Sequence, residues 1–211
     1  MTEINLIRHG ETDWNVEEIF RGQADIQLNE IGTKQAQLVS SYLRNTPIEA
    51  VYSSPLKRAL KTAEMIADPH NIDVMASNEL IDLDYGEWQG LPHEVVKNKY
   101  ETLYQEWMKT PHLVRIPKGE SLGDIRKRAV SLIEQVVAEH EGSTVALVSH
   151  RVILKVLICA LLGLDNSHFW NIKVDTCGIT TFIYQDNSFV IEKLNDTSFL
   201  KSIDRPPLSD F

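Results

Sequence analysis

This chain of 211 residues has only two cysteines and no long apolar run. Its two cysteines, Cys159 and Cys177, sit among apolar neighbours, so buried free thiols are expected in place of a disulfide framework. No run of about 18 apolar residues occurs, which argues against a membrane-spanning helix. No basic stretch followed by an apolar one precedes EINLIRHG, so no secretory signal is expected and the cytoplasm is the expected compartment. Positive charge is also in deficit. Lys and Arg number 21 against 30 Asp and Glu, a formal net charge of −9, which disfavours a nucleic-acid partner. Neither HExxH nor CxxC occurs, so no metal site is expected, and no cofactor motif stands out. Internal repeats and low-complexity tracts are missing too.

What remains is an ordinary globular composition, 43% apolar, with enough length for one domain spanning 1–211. INLI and IEAVYSS read as buried strands, and STVALVSH as a third. LNEIGTKQAQLVSSYLRN has helical spacing. PLKRALKTAEMIAD is expected to be a helix with Pro55 in its first turn. IDVMASNEL reads as a strand running into an extended segment. GESLGDIRKRAVSLIEQVVAEHEG is a long amphipathic helix, with Ser121 and Asp124 at capping-box spacing and Gly142 at its end. VILKVLICALLGL is a nearly all-apolar buried helix. GITTFIYQDNSFVIEKLN reads as a hairpin around Asp186-Asn187, and the tail RPPLSDF as irregular. The aromatic and charged stretch from Leu91 to Pro117, with Tyr100, Tyr104 and Trp107, predicts short helices covering one end of the sheet. It is the core of a lid-like insert around 88–120.

Strands alternating with helices predict an α/β fold: a three-layer sandwich, with a mostly parallel central sheet and helices on both faces. Ligands of such sheets bind beyond the carboxyl ends of the strands. Three of those ends deliver Arg8 and His9, Arg58 one helical turn in, and His150. Singly, each has a bland reading, as a structural histidine or a surface arginine. Together they converge on one point, and burying such charges is unfavourable unless an anion is bound. A phosphoryl group suits forked arginine donors and helix N-termini. A neutral histidine beside two arginines is a nucleophile near pH 7. The leaving oxygen needs a proton from a carboxyl group, for which ELIDLDYGEWQG offers Asp82, Asp84 and Glu87.

LIRHGETDWN, SSPLKRALKTA, LDYGEWQG, GESL and LVSH, in that order from Asn5 to about Leu194, resemble the histidine phosphatase superfamily in its phosphoglycerate-mutase-like branch. The resemblance implies a phosphoglycerate-mutase-like fold and a metal-independent phosphomonoesterase. It implies that His9 forms a phosphohistidine, that Arg8, Arg58 and His150 complete the phosphate pocket, and that Asn15 contacts the phosphoryl group. Asp82 stands where many relatives carry a glutamate acid/base, with a reach one methylene shorter, so Asp84 and Glu87 stay as alternatives. Relatives are often dimers, which makes a homodimer one expected state.

Two departures stand out. IFRGQADIQLNE has Arg21, ahead of Gly22, where relatives often have glutamine. SHRVILK has Arg151 where many have glycine. Both would suit a second anionic group on a small phosphorylated metabolite; the competing expectation puts Arg151 in a surface ion pair. The short separation of the histidines, 9 to 150, resembles the phosphatase members of the branch more than the mutases. CALLGLDNSHFW with its hairpin resembles the metal-independent phosphoserine phosphatases. The alternatives are an α-ribazole or broad-specificity phosphatase, a phosphoglycerate mutase, and a non-catalytic phospho-ligand binding module. A magnesium-dependent DxD phosphatase at Asp82–Asp84 is disfavoured, because Tyr85 follows.

Overall fold

The computed structural model describes residues 1–203, and the tail expected to be irregular, 205–211, lies outside them. Three strands carry the centre: β1 (Thr2–Arg8), β2 (Ile48–Ser53) and β4 (Thr144–Ser149). Their runs are continuously apolar because both faces are covered. Ile4, Leu6, Tyr52, Val145 and Leu147 pack on one face with α6 (Leu122–Glu139) and α7 (Arg151–Leu161). Ile7, Val51, Ala146 and Val148 pack on the other with α2 (Glu30–Leu43) and α3 (Lys57–Ala67). With β3 (Val74–Ala76), β5 (Ile179–Gln185) and β6 (Ser188–Asp196) the order is β3-β2-β4-β1-β5-β6. The first four are parallel, and β5 and β6 join antiparallel. The mostly parallel sandwich expected from the alternation is the fold observed.

Local chemistry sets the boundaries. Ser121 and Asp124 close the capping box that starts α6. Asp186 and Asn187 take left-handed φ values of 50° and 57°, as a tight hairpin between right-twisted strands requires. One expectation needs correction. Pro55 is not in the first turn of α3; Leu56 is the N-cap and the helix starts at Lys57. Ser54 Oγ accepts from the Leu56 amide at 3.3 Å, which keeps Leu56 extended. Arg58 is therefore the second helical residue, not one turn in.

The short helices expected between Leu91 and Pro117 are α4 (His93–Lys99) and α5 (Glu101–Lys109), and a further short helix, α1 (Asp13–Val16), was not anticipated. Trp88 and Trp107, fully buried, join α5 to the core, with Tyr85, Phe20 and Phe169 around them.

Strand register fixes the edge where function is expected. Arg8 pairs with Ser149, and Ser53 with Val148. His9, Ser54 and His150 thus leave three neighbouring strands at nearly one level. Gly10 lets the loop after β1 touch the start of α2: a Cβ there would lie 2.4 Å from the Gly32 carbonyl oxygen.

Candidate active site

His9 is 1% exposed, and its Nδ1 lies 2.6 Å from the Gly10 carbonyl oxygen. A carbonyl can only accept, so Nδ1 carries the hydrogen. Burial, then Arg58 and Arg8, hold the His9 pKa well below its usual 6.5. The ring is neutral, and Nε2 keeps its lone pair. The loop is held by the Gly10 amide donating to Thr62 Oγ1 at 3.1 Å, while Thr62 donates to the Arg58 carbonyl at 2.8 Å. The helix bearing Arg58 therefore also sets the His9 backbone.

His150 stands with its ring centroid 5.1 Å from that of His9. Its Nε2 is 2.7 Å from Ser54 Oγ, and its Nδ1 3.7 Å from Asp82 Oδ2. Burial, then Arg58 and His9, lower its pKa too. Buried Arg58 donates from Nη2 to the Gly22 carbonyl at 2.7 Å and to Asp82 Oδ2 at 3.3 Å, and from Nη1 to Ala24 at 2.7 Å. Arg8, also buried, donates to the Val174 carbonyl at 2.6 Å.

The three candidate carboxylates separate cleanly. Asp82 is buried, and its Oδ1 accepts from the Leu83 amide at 2.9 Å, which aims Oδ2 at Arg58 and His150. Asp84 turns back to accept from the Gly86 amide. Glu87 points outward to Lys118 at 2.9 Å and to the Tyr100 hydroxyl at 3.1 Å. Neither alternative lines the cleft.

A narrow cleft opens beside Asp82, lined by Ile19, Phe20, Arg21, Gly22, Tyr85, His93 and the start of α7. Arg151 is among its walls and only 6% exposed, so the expectation of a surface ion pair is not met. It hydrogen-bonds Tyr85, opposing the upward push of burial on that phenol. Arg21 donates to the Trp14 and Ile19 carbonyls at 3.0 and 3.3 Å. Burial, then Arg151 and Arg8, bring its pKa down to about 9. Gly22, at φ 49°, has no room for a side chain, since a Cβ would meet the Leu83 carbonyl at 2.8 Å. Asn15 lies in the α1 cap, where its Oδ1 accepts from the Thr12 amide and hydroxyl.

Sequence reasoning missed Ser54, Thr62, Tyr85 and His93. His93 stacks on Phe20 at 4.0 Å, and burial, then Arg151 and Arg21, bring its pKa down to about 3. The lid stretch was legible, yet the aromatics singled out in it differ. Trp107 is core, and Tyr85 and His93 line the cleft.

Comparison with known proteins gives the family. Residues 4–197 match the family model of the histidine phosphatase superfamily (branch 1). Phosphoserine phosphatase 1 of Hydrogenobacter thermophilus is 37% identical over 200 residues, covering 95% of each chain. Among solved structures, YhfR of Bacillus stearothermophilus superposes with a TM-score of 0.91 at 30% identity, over 95% of this chain and all of its own. A histidine-to-alanine variant of the Entamoeba histolytica phosphoserine phosphatase, in complex with phosphoserine, gives 0.86 at 29% identity, with the same coverage. The chain belongs to the histidine phosphatase superfamily, branch 1. Its class is that of a phosphatase, a hydrolase.

Proposed function

We propose that this phosphatase hydrolyses small phosphomonoesters bearing a carboxylate, phosphoserine among the candidates, through a phosphohistidine at His9. The observation that carries the reading is the fixed tautomer of His9: with Nδ1–H donating to Gly10, Nε2 is left as the nucleophile in a pocket of guanidiniums. Arg8, Arg58 and His150 take the phosphoryl oxygens, and the amide of Asn15 adds a donor. Each preorganised donor of this kind is worth about 3 kcal/mol in the transition state.

His9 Nε2 bonds to phosphorus in line as the ester P–O bond breaks. Asp82 gives its proton to the leaving oxygen. The positive charge that develops on the ring faces the Gly10 carbonyl. Water then attacks phosphorus, Asp82 takes its proton, and the P–N bond breaks to return the lone pair to His9. Arg21 and Arg151, with the close approach allowed at Gly22, hold the carboxylate of the ester. The 88–120 segment covers this end of the sheet within the single domain 1–211.

The relatives named as phosphoserine phosphatases support the substrate class. Among the described residues no helix is long and apolar enough to cross a membrane. We place the protein in the cytoplasm, and assign a homodimer through the edge strand β6, which exposes Val190 and Leu194.

A panel of phosphomonoesters assayed with EDTA present tests the reading. Phosphoserine and 3-phosphoglycerate should be hydrolysed faster than p-nitrophenyl phosphate, with an acid-labile phosphoenzyme. Phosphoryl transfer between glycerate oxygens without net phosphate release would make it a mutase. Bound ester with no single-turnover product would make it a binding module.

A further inference from the structure

GESL, residues 119–122, takes no part in the chemistry above, yet it is built onto the segment that carries Asp82. Backbone meets backbone there. The Glu120 amide donates to the Asp84 carbonyl at 2.9 Å, and the Asp84 amide donates to Glu120 Oε2 at 3.0 Å. Neither side leaves room for a side chain. A Cβ on Gly119 would lie 2.3 Å from the Asp84 carbonyl oxygen, and one on Gly86 2.2 Å from that of Pro117.

Arg128 extends this contact from α6, whose buried face is anchored in the core by Leu122, Ile125 and Ala129. Its Nε and Nη2 grip the two carboxylate oxygens of Glu120, each at 3.2 Å. Nη2 also donates to the Asp82 carbonyl at 3.2 Å, and Nη1 to that of Glu79 at 2.8 Å. One half-buried guanidinium thus bridges the main chain at 79 and 82 and the carboxylate that holds residue 84. A lone ion pair so near the surface would add little. This one is a planar fork, which fixes direction as well as distance, and its bonds end on the backbone that carries the Asp82 side chain.

We infer that Glu120 and Arg128 are positioning residues for Asp82: they fix the main chain at 82–84 so that the Asp82 carboxyl reaches the leaving oxygen. This rests on the phosphatase reading above, with Asp82 as its acid. One methylene separates that carboxyl from the backbone, so a shift of the main chain passes almost undiminished to Oδ2. A proton is handed over within a hydrogen bond of about 2.6–3.2 Å, and misplacement by about 1 Å can cost about 10²-fold. The Leu83 amide sets the rotation of the carboxyl, and Gln23 shares the Asp82 carbonyl at 3.2 Å. Arg128 and Glu120 add the tie to α6.

The test uses the purified full chain and compares kcat/KM, which reports the steps up to the phosphoenzyme, on two esters. One is phosphoserine or 3-phosphoglycerate, whichever the wild type cleaves faster, and the other is p-nitrophenyl phosphate. The alkyl ester needs a proton on its leaving oxygen, and the nitrophenyl ester does not. Arg128→Met keeps the apolar stem and removes the fork. It should lower kcat/KM on the alkyl ester, relative to p-nitrophenyl phosphate, by about tenfold or more. Arg128→Lys, a point charge in place of the fork, should fall between it and the wild type. Glu120→Gln keeps the shape and should move the ratio the same way by less. An unchanged ratio in folded Arg128→Met, with equal losses on both esters or none, would overturn the inference; if that variant does not fold, an unchanged ratio in Glu120→Gln would do so. A ratio that moves in Asp82→Asn but in neither of these overturns the inference alone, and one unmoved in Asp82→Asn removes the acid as well. The phosphatase reading fails differently: the wild type would then hydrolyse neither ester and form no phosphoenzyme.

Discussion

Asn195 holds Asp175 by both ends: its Nδ2 donates to Asp175 Oδ2 and its Oδ1 accepts from the Asp175 amide, each at 2.8 Å. Asn195 sits at φ 51° beside the irregular pairing of β5 with β6, which turns its side chain toward the 174–178 turn. That turn contacts Arg8 three times: Val174 takes its guanidinium, Gly178 its amide, and the Cys177 amide donates to its carbonyl. Asn195→Ala should therefore loosen Arg8. Losing hydrogen bonds of this kind costs about 1–3 kcal/mol of stability. The expected result is a kcat about tenfold lower on p-nitrophenyl phosphate, with a smaller change in KM. An unchanged kcat in a folded variant would leave Asn195 a purely structural role.

Replacing His9 with alanine should abolish turnover and the phosphoenzyme together. Rapid-quench labelling with a ³²P ester reads both. A surviving acid-labile label in His9→Ala would move the nucleophile elsewhere.

Asp82→Asn should slow alkyl esters far more than p-nitrophenyl phosphate, whose leaving group needs no proton. A general acid contributes typically about 10²–10⁴-fold. Glu87→Gln should stay near wild type on both, because Glu87 faces Lys118 at the surface. The reverse pattern would transfer the acid role.

Gly32→Ala sets helix propensity against geometry. Alanine within α2 should gain about 1 kcal/mol by propensity. Its Cβ would, however, lie 2.0 Å from the Glu11 carbonyl oxygen, which belongs to backbone next to the His9 loop. The clash wins, and urea unfolding should show a net loss of about 1–3 kcal/mol or more. A more stable variant would mean that this contact can yield.

Acid should destabilise the protein below about pH 6.5. His9, His93 and His150 have folded pKa values depressed below the usual 6.5, with His93 at about 3. The unfolded chain takes up these protons first. Stability is therefore fully present above 6.5 and is lost as pH falls through the window down to the folded values. Each histidine adds a slope of up to about 1.4 kcal/mol per pH unit. Denaturant titrations between pH 4.5 and 7.5 measure it, and His93→Gln should flatten it.

The sequence by itself determined the layers and the convergence of Arg8, His9, Arg58 and His150. Continuous apolar strands demand cover on both faces, and parallel strands bring their carboxyl ends to one edge. The capping box at Ser121 and the turn at Asp186-Asn187 were equally local. The choice among Asp82, Asp84 and Glu87 was not, because 81–90 has no repeating period to say which way a side chain points. The backbone amides of Leu83 and Gly86 and the side chain of Lys118 aim Asp82 toward Arg58 and His150 and turn the other two away. Arg151 was ambiguous because one residue after a strand can face solvent or cleft, and the packing of α7 turned it inward. His93 reaches the cleft, and Asn195 the turn that holds Arg8, from distant segments, so only the tertiary structure could bring them there.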